Sequence, residues 1–189
     1  MMIKSSEYYS RYNNLSNMII QAYIIRYMIE SIGEQEPFPL GYIDEILKYM
    51  FGLTIWQIYC DEDDKANTIQ HLSHDINGKN AKLPKIYIKK KLKTHLNWMR
   101  NEYLAHNDKE KKKLSNGDQG DKVRIEIKAL SALLDGLREQ LNSLCRPDLD
   151  SRVSEITDKK LALLREEICS SFDPLLSRAN RIQGESANA

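Results

Sequence analysis

The sequence predicts an all-α protein: a bundle of about four long helices plus a short helix, with an added C-terminal helix. Apolar residues recur at three- and four-residue spacings over long stretches, and no stretch shows the strict alternation of a half-buried strand. Helix-breaking residues are sparse, because the 189 residues include only 8 Gly and 5 Pro. With 41% hydrophobic residues, the chain has enough apolar content for a packed core.

The first two helices are predicted over about residues 5–31 and 41–59. One apolar stripe follows the first helix, formed by Tyr8, Leu15, Met18, Ile19, Ala22, Ile25, Ile29 and Ile32. In the second helix, apolar residues lie on more than one side, so we expect it to be the most buried helix. A short helix follows over 68–76, where Thr68 is a good N-cap and Asn77-Gly78 is a good terminator.

A third long helix is predicted over about 85–105, and its apolar line consists of Ile88, Leu92, Leu96, Met99 and Tyr103. A fourth runs over about 122–145, and a fifth over about 154–170 with a further helical turn near 174–182. Because Arg146-Pro147-Asp148 interrupts the pattern, we divide the chain into a helical domain, 1–146, and a C-terminal helical extension, 147–189.

Charge and cysteine content exclude several classes of protein. The net charge of +1 gives no general affinity for nucleic acid, so only local clusters can provide one. Three widely spaced cysteines form no CxxC pair, which fits a reducing, cytoplasmic location. The most apolar run, 18–32, contains Gln, Arg and Glu, so we expect no membrane span and no membrane partner.

Arg100 and His106 are the candidate catalytic residues. An Arg offers a fixed fork of donors to a phosphate and stays charged at cellular pH. A His titrates near neutrality and can transfer protons. Cleavage of RNA through the 2′-hydroxyl requires both roles and needs neither a metal nor another cofactor.

The stretch Arg100-Asn101-Glu102-Tyr103-Leu104-Ala105-His106 resembles the ribonuclease motif of HEPN proteins, most closely those of the abortive-infection U type. The chain before the motif also resembles the corresponding segment of this group, which has an acidic turn, here 61–64, and then a short helix, here 68–76. The resemblance extends over about 8–144. This resemblance implies that residues 1–146 form a HEPN-like helical domain. It also implies that the protein is a metal-independent endoribonuclease of the toxin or phage-defence type. Some HEPN toxins carry a Tyr two residues after the His, which a partner enzyme modifies; here that residue is Asp108.

Helix geometry bears on how Arg100 and His106 could share one site. Six residues turn through about 600°, so the two side chains would project about 120° apart from a straight helix. Either the helix distorts after Tyr103 or two protomers contribute, and the resemblance implies the second arrangement, a homodimer with a composite site. Asn101 would then orient the site or bind phosphate, and Glu102 is placed to bond the imidazole of His106.

Lysines flank the motif and form a candidate RNA track, for which we select Lys93, Lys109, Lys111 and Lys112. An ordinary solvated lysine face is the alternative. Arg100 could equally pair with Glu102 or Asp108, and His106 could simply favour a helix C-terminus. Tyr103 is a supporting residue with a packing role.

Other sites are disfavoured by the sequence. His71 and His74 are three residues apart with Asp75 beside them, but no third strong zinc ligand follows at typical spacing. The acidic turn at 61–64 lacks the remainder of a calcium loop. Trp56 and Trp98 are predicted to be core or interface residues. Two functions remain: a ribonuclease whose partners are RNA, a second copy and an antitoxin or other regulatory protein, or a non-catalytic helical module that binds a partner protein or nucleotide.

Overall fold

The structure, a computed structural model, describes residues 3–32, 40–59, 68–78, 92–94, 96–97 and 127–186. Five helices lie in these ranges: α1 (Ser5–Ile32), α2 (Leu40–Tyr59), α3 (Ile69–Asn77), α4 (Ile127–Ser143) and α5 (Asp158–Ser186). Residues 92–94 and 96–97 are also helical. None of these residues forms a strand, and the predicted all-α fold class is confirmed. Within the same ranges, no helix is long and apolar enough to cross a membrane.

α1 lies at the centre of the bundle and contacts α2, α3, α4 and α5. Its predicted apolar stripe is buried except at Met18, which is partly buried, and the stripe is widened by three further tyrosines. Ten residues of α1 join the core: Tyr8, Tyr12, Leu15, Ile19, Ala22, Tyr23, Ile25, Tyr27, Ile29 and Ile32. Because this stripe meets four neighbours, α1 is the helix that organises the core.

The expectation that α2 is the most buried helix is wrong. One face is buried as expected, with Phe51, Ile55 and Ile58 all completely inaccessible. Ile43, Ile46 and Met50 form a second apolar face, and their exposed fractions are 40%, 43% and 48%. Apolar periodicity shows which residues are able to be buried, but the neighbours of a helix decide which of them are.

α3 was predicted from its two ends, and both ends are confirmed. The side-chain oxygen of Thr68 accepts a hydrogen bond from the backbone N–H of His71 at 3.3 Å, as an N-cap does. At the other end, the N–H of Gly78 donates to the carbonyl of His74 at 2.8 Å. Gly78 has a φ of 84°, a conformation that glycine adopts without a steric penalty.

α5 begins later and ends later than predicted. Asn142 holds both backbone groups of Ile156, accepting from its N–H at 3.0 Å and donating to its carbonyl at 3.1 Å. These bonds keep Ile156 out of a helix, so α5 begins at Asp158 rather than at 154. The predicted interruption before Pro174 is also wrong, because α5 continues through this proline. Phe172, two residues before this proline, packs against the core and holds that part of α5 on the bundle.

Residues on both sides of the predicted division at 146 belong to one hydrophobic cluster. Val153, Ile156 and Leu161 are buried in the same core as α1 and α4. The Tyr12 hydroxyl donates to the carbonyl of Ser154 at 3.2 Å. The division into 1–146 and 147–189 stays a prediction, and its outcome depends on how much stability these contacts contribute.

The Tyr8 hydroxyl joins the start of α1 to the end of α4. It donates to the carbonyl of Leu144 at 3.0 Å and accepts from the N–H of Arg146 at 2.7 Å, while its ring is fully buried. Burial raises the pKa of this phenol, so it stays protonated at neutral pH and acts as a donor.

We expect Tyr8→Phe to lower the free energy of unfolding by about 1–3 kcal/mol, because it leaves the buried carbonyl of Leu144 and the partly buried N–H of Arg146 without their partner. Urea denaturation followed by circular dichroism measures this change. Tyr9→Phe is the matched control, because Tyr9 is partly buried on the same helix and should shift stability by less than about 0.5 kcal/mol. Equal losses for the two variants would contradict the role assigned to Tyr8.

Candidate functional site

Most of the predicted site lies outside the described residues. The predicted site residues that lie outside are Arg100, Asn101, Glu102, Tyr103, His106, Lys109, Lys111 and Lys112. Trp98 and the acidic turn at 61–64 also lie outside. Lys93 is described. The helical residues 92, 94, 96 and 97, which precede Arg100 in the sequence, are also described.

Residues 92–94 and 96–97 precede the motif in the sequence and pack one side against the bundle. Leu96 is completely buried, and Leu92 packs against the core from a partly buried position. Lys93 and Asn97, one helical turn apart, are exposed. The predicted apolar line is confirmed at Leu92 and Leu96, and Lys93 lies on the solvent side.

Trp56 connects α2 to this segment. Its indole Nε1–H donates a hydrogen bond to Oδ1 of Asn97 at 2.9 Å. The Trp56 side chain is half-buried and packs against the hydrophobic core. Sequence reasoning assigned Trp56 to packing and missed its bond with Asn97, because no periodic pattern relates residues 41 positions apart.

A polar network lies where α1 meets α4 and α5. Asp135 accepts from the Tyr23 hydroxyl at 2.6 Å and from Nη1 of Arg26 at 3.2 Å. Glu30 accepts from Arg26 at 2.8 Å and pairs with Arg165 at 3.1 Å. Burial, and then the bond to Asp135, raise the pKa of Tyr23, so this phenol remains a donor. Each charge in the network faces an opposite charge, which indicates a structural role.

A second network fastens the segment after α4 to the start of α1. Asp150 accepts from Ser5 at 3.0 Å and from Nη2 of Arg152 at 2.7 Å, and the Arg152 guanidinium lies 3.8 Å from the centre of the Tyr9 ring. The hydrogen bonds from Arg152 lower the pKa of Asp150, which therefore stays ionised. This cluster also satisfies its own charges and shows no feature of a catalytic site.

The alternative zinc site on α3 gains no support from the described residues. The Asp75 carboxylate forms an ion pair with Arg11 at 2.8 Å, and Arg11 also pairs with Glu7 at 3.3 Å. A carboxylate held by a guanidinium is a poor start for a metal site. Across the described ranges, no three His, Cys, Asp or Glu side chains are grouped so that they could hold a metal ion.

Comparisons of the chain with protein-family models, with curated proteins and with solved structures give no match. A function must therefore be argued from the motif, from the helical approach to it and from the surfaces of the bundle.

Proposed function

We propose that this protein is a metal-independent endoribonuclease of the toxin or phage-defence type, with an active site formed by two copies of the chain. The observation that carries the proposal is the Arg-Asn-x4-His motif of residues 100–106 in an all-α chain. Its resemblance to the HEPN ribonuclease motif supplies the reaction class.

The motif contains the groups that RNA cleavage needs. The 2′-hydroxyl attacks the adjacent phosphorus, and the 5′-oxygen of the next nucleotide leaves. His106 would transfer a proton in this step, and Arg100 would offset the charge that develops on the phosphate. Asn101 would orient the phosphate, and Glu102 would bond the imidazole of His106. Lys93, which is exposed, would join Lys109, Lys111 and Lys112 in attracting the RNA backbone.

Dimerisation is part of the proposal, because one straight helix would direct Arg100 and His106 about 120° apart. A dimer also needs an apolar surface that the monomer leaves exposed. The exposed face of α2 supports this requirement, since Ile43, Ile46 and Met50 follow the i, i+3, i+7 spacing of a helix–helix contact. Residues of this kind favour association with a second copy of the bundle.

The direct test is incubation of the purified protein with a defined RNA oligonucleotide in EDTA. We expect cleavage that leaves a 5′-hydroxyl end, and light scattering should give the mass of two chains. A DNA oligonucleotide of the same sequence is the matched control and should remain intact, since it has no 2′-hydroxyl. Intact RNA in the presence of folded, dimeric protein would contradict the proposal.

The second candidate is a non-catalytic helical module that binds a partner protein or nucleotide. The surface of α5 favours it, because most of the first three turns is exposed and Leu163 is 59% accessible. The same surface could bind an antitoxin or another regulatory protein of an active ribonuclease. Induced expression separates the two candidates: equal growth with wild type and Arg100→Ala favours the module, whereas toxicity of wild type alone favours the enzyme.

A further inference from the structure

We infer that the C-terminal segment is attached to the bundle in two parts, and that the outer part, residues 162–186, is released from α1 as a unit when ionic strength rises. The inner part, residues 153–161, stays bound during this release. The release goes beyond the proposed function and does not depend on it, because the contacts involved join only α1, α4 and the C-terminal segment.

The inner part is held by buried apolar side chains and by hydrogen bonds to its backbone. Asn142 of α4 bonds both backbone groups of Ile156, at 3.0 and 3.1 Å. The Tyr12 hydroxyl donates to the carbonyl of Ser154 at 3.2 Å. Three side chains lie in the core with 6% or less of their surface exposed: Val153, Ile156 and Leu161. Because buried contacts are screened little by salt, this part stays bound at high ionic strength.

The outer part is held by half-buried side chains and an exposed ion pair. After Leu161, none of the α5 side chains that the structure describes is fully buried. Glu30 of α1 pairs with Arg165 at 3.1 Å, and their side chains are 32% and 59% exposed. A pair this exposed is screened by salt, so the outer attachment weakens as ionic strength rises. Three apolar residues pack against the core from partly buried positions: Leu164, Ile168 and Phe172.

Release is cooperative, because the outer part cannot maintain a helix alone. Pro174 has no N–H, so the helix lacks a bond to the carbonyl of Ser170. On either side of this proline the outer part has about 12 residues, and isolated helices of this length are marginal in water. The outer part therefore keeps its helix only while it packs on α1.

Release uncovers the side of α1 around Tyr27. The Tyr27 side chain is 7% exposed, and the Arg165 guanidinium lies 5.8 Å from the centre of its ring. One helical turn later, the Ser31 hydroxyl lies 3.4 Å from the sulfur of Cys169. Ionic strength thus controls access to an aromatic surface on the helix that organises the core.

Hydrogen exchange of the full chain, followed by mass spectrometry of its peptides, tests this release. In wild type, we expect the amides of 164–172 to exchange about three- to fivefold faster in about 0.5 M NaCl than in about 0.05 M, the effect of one exposed ion pair. All of these amides should accelerate by the same factor, because the outer part leaves as a unit. The amide of Ile156, which Asn142 holds, should exchange equally at both salt concentrations.

Glu30→Gln removes the charge that pairs with Arg165, while Arg26 keeps its bond to Asp135 at 3.2 Å. In this variant, the amides of 164–172 should exchange at the high-salt rate at both salt concentrations. Glu166→Gln is the matched control, because it removes the same charge from an exposed position of α5. It should keep the wild-type salt dependence.

A covalent clamp tests the release from the opposite direction. Because the Ser31 hydroxyl is 3.4 Å from the Cys169 sulfur, Ser31→Cys places two thiols within reach of a disulfide. The oxidised variant should exchange the amides of 164–172 at least about tenfold more slowly than the same variant after reduction. The reduced variant should show the wild-type salt dependence, and peptide mapping identifies the disulfide.

Three results would overturn the inference: equal exchange of 164–172 at the two salt concentrations in wild type, acceleration of the Ile156 amide together with the outer amides, or equal exchange in oxidised and reduced Ser31→Cys. If Glu30→Gln fails to fold, the oxidised and reduced forms of Ser31→Cys still decide the question. None of these measurements uses RNA, so a protein without ribonuclease activity would refute the proposed function and leave this inference standing.

Discussion

His106→Ala is expected to lower the rate of RNA cleavage by about 10²- to 10⁴-fold, the contribution of a well-placed acid–base group. Alanine removes the imidazole but retains the helical propensity of the position. The dimer should therefore keep its mass and its circular dichroism. The loss should appear mainly in kcat, because His106 is assigned to proton transfer, whereas the basic residues are assigned to binding.

His74→Ala is the control for this experiment. His74 lies on α3 in a partly buried position and contributes its backbone carbonyl, not its side chain, to the cap at Gly78. The His74→Ala variant should cleave RNA at a rate within about twofold of wild type, since changes away from a site usually have small effects. Full activity in His106→Ala would contradict the assignment of the proton-transfer role.

A mixture of two inactive variants tests whether the site is composite. Refolding Arg100→Ala together with His106→Ala produces dimers in which the surviving Arg100 and the surviving His106 belong to different chains. A site that draws its groups from both copies should regain measurable cleavage in these hybrids. A site contained within one chain should stay inactive, since no chain of the mixture carries both groups.

Sequence reasoning succeeded where the determining contacts are local. The start and end of α3 depend on Thr68 and Gly78, which act within a few residues of themselves. The start of α5 has a local cap at Thr157, but Asn142 also holds Ile156 from 14 positions away, and no local pattern contains that second bond. The exposure of the second apolar face of α2 depends on which residues pack over that face, and the periodicity of α2 alone does not reveal this.

The candidate site shows the same division. Arg100 to His106 could be proposed as a site because a short string of residue types can resemble a nuclease motif without any knowledge of the fold. The bond from Trp56 to Asn97 connects two helices across 41 positions, so it could be found only in the folded chain. A short motif can therefore be proposed from sequence, whereas a contact between residues far apart in the chain requires the structure.

Removal of residues 147–189 is expected to unfold the remaining chain. The truncation takes Val153, Ile156 and Leu161 out of the core, and each buried apolar side chain contributes about 1.5–3 kcal/mol. It also removes the hydrogen bonds from Tyr12 and Asn142, at about 0.5–1.5 kcal/mol each. The summed loss is comparable with the total stability of about 5–15 kcal/mol that a domain possesses.

A shorter truncation, which removes only 174–189, is the matched control for this prediction. It keeps Phe172 and the buried residues before it, so it should show a cooperative thermal transition close to that of the full chain. The longer truncation should show none. A cooperative transition in the 1–146 fragment would instead establish it as a domain that folds alone, and would make the C-terminal segment an extension added to a complete bundle. Its absence would mean that α1 requires α5 as well as α4, so that a boundary placed at Pro147 divides a single folding unit.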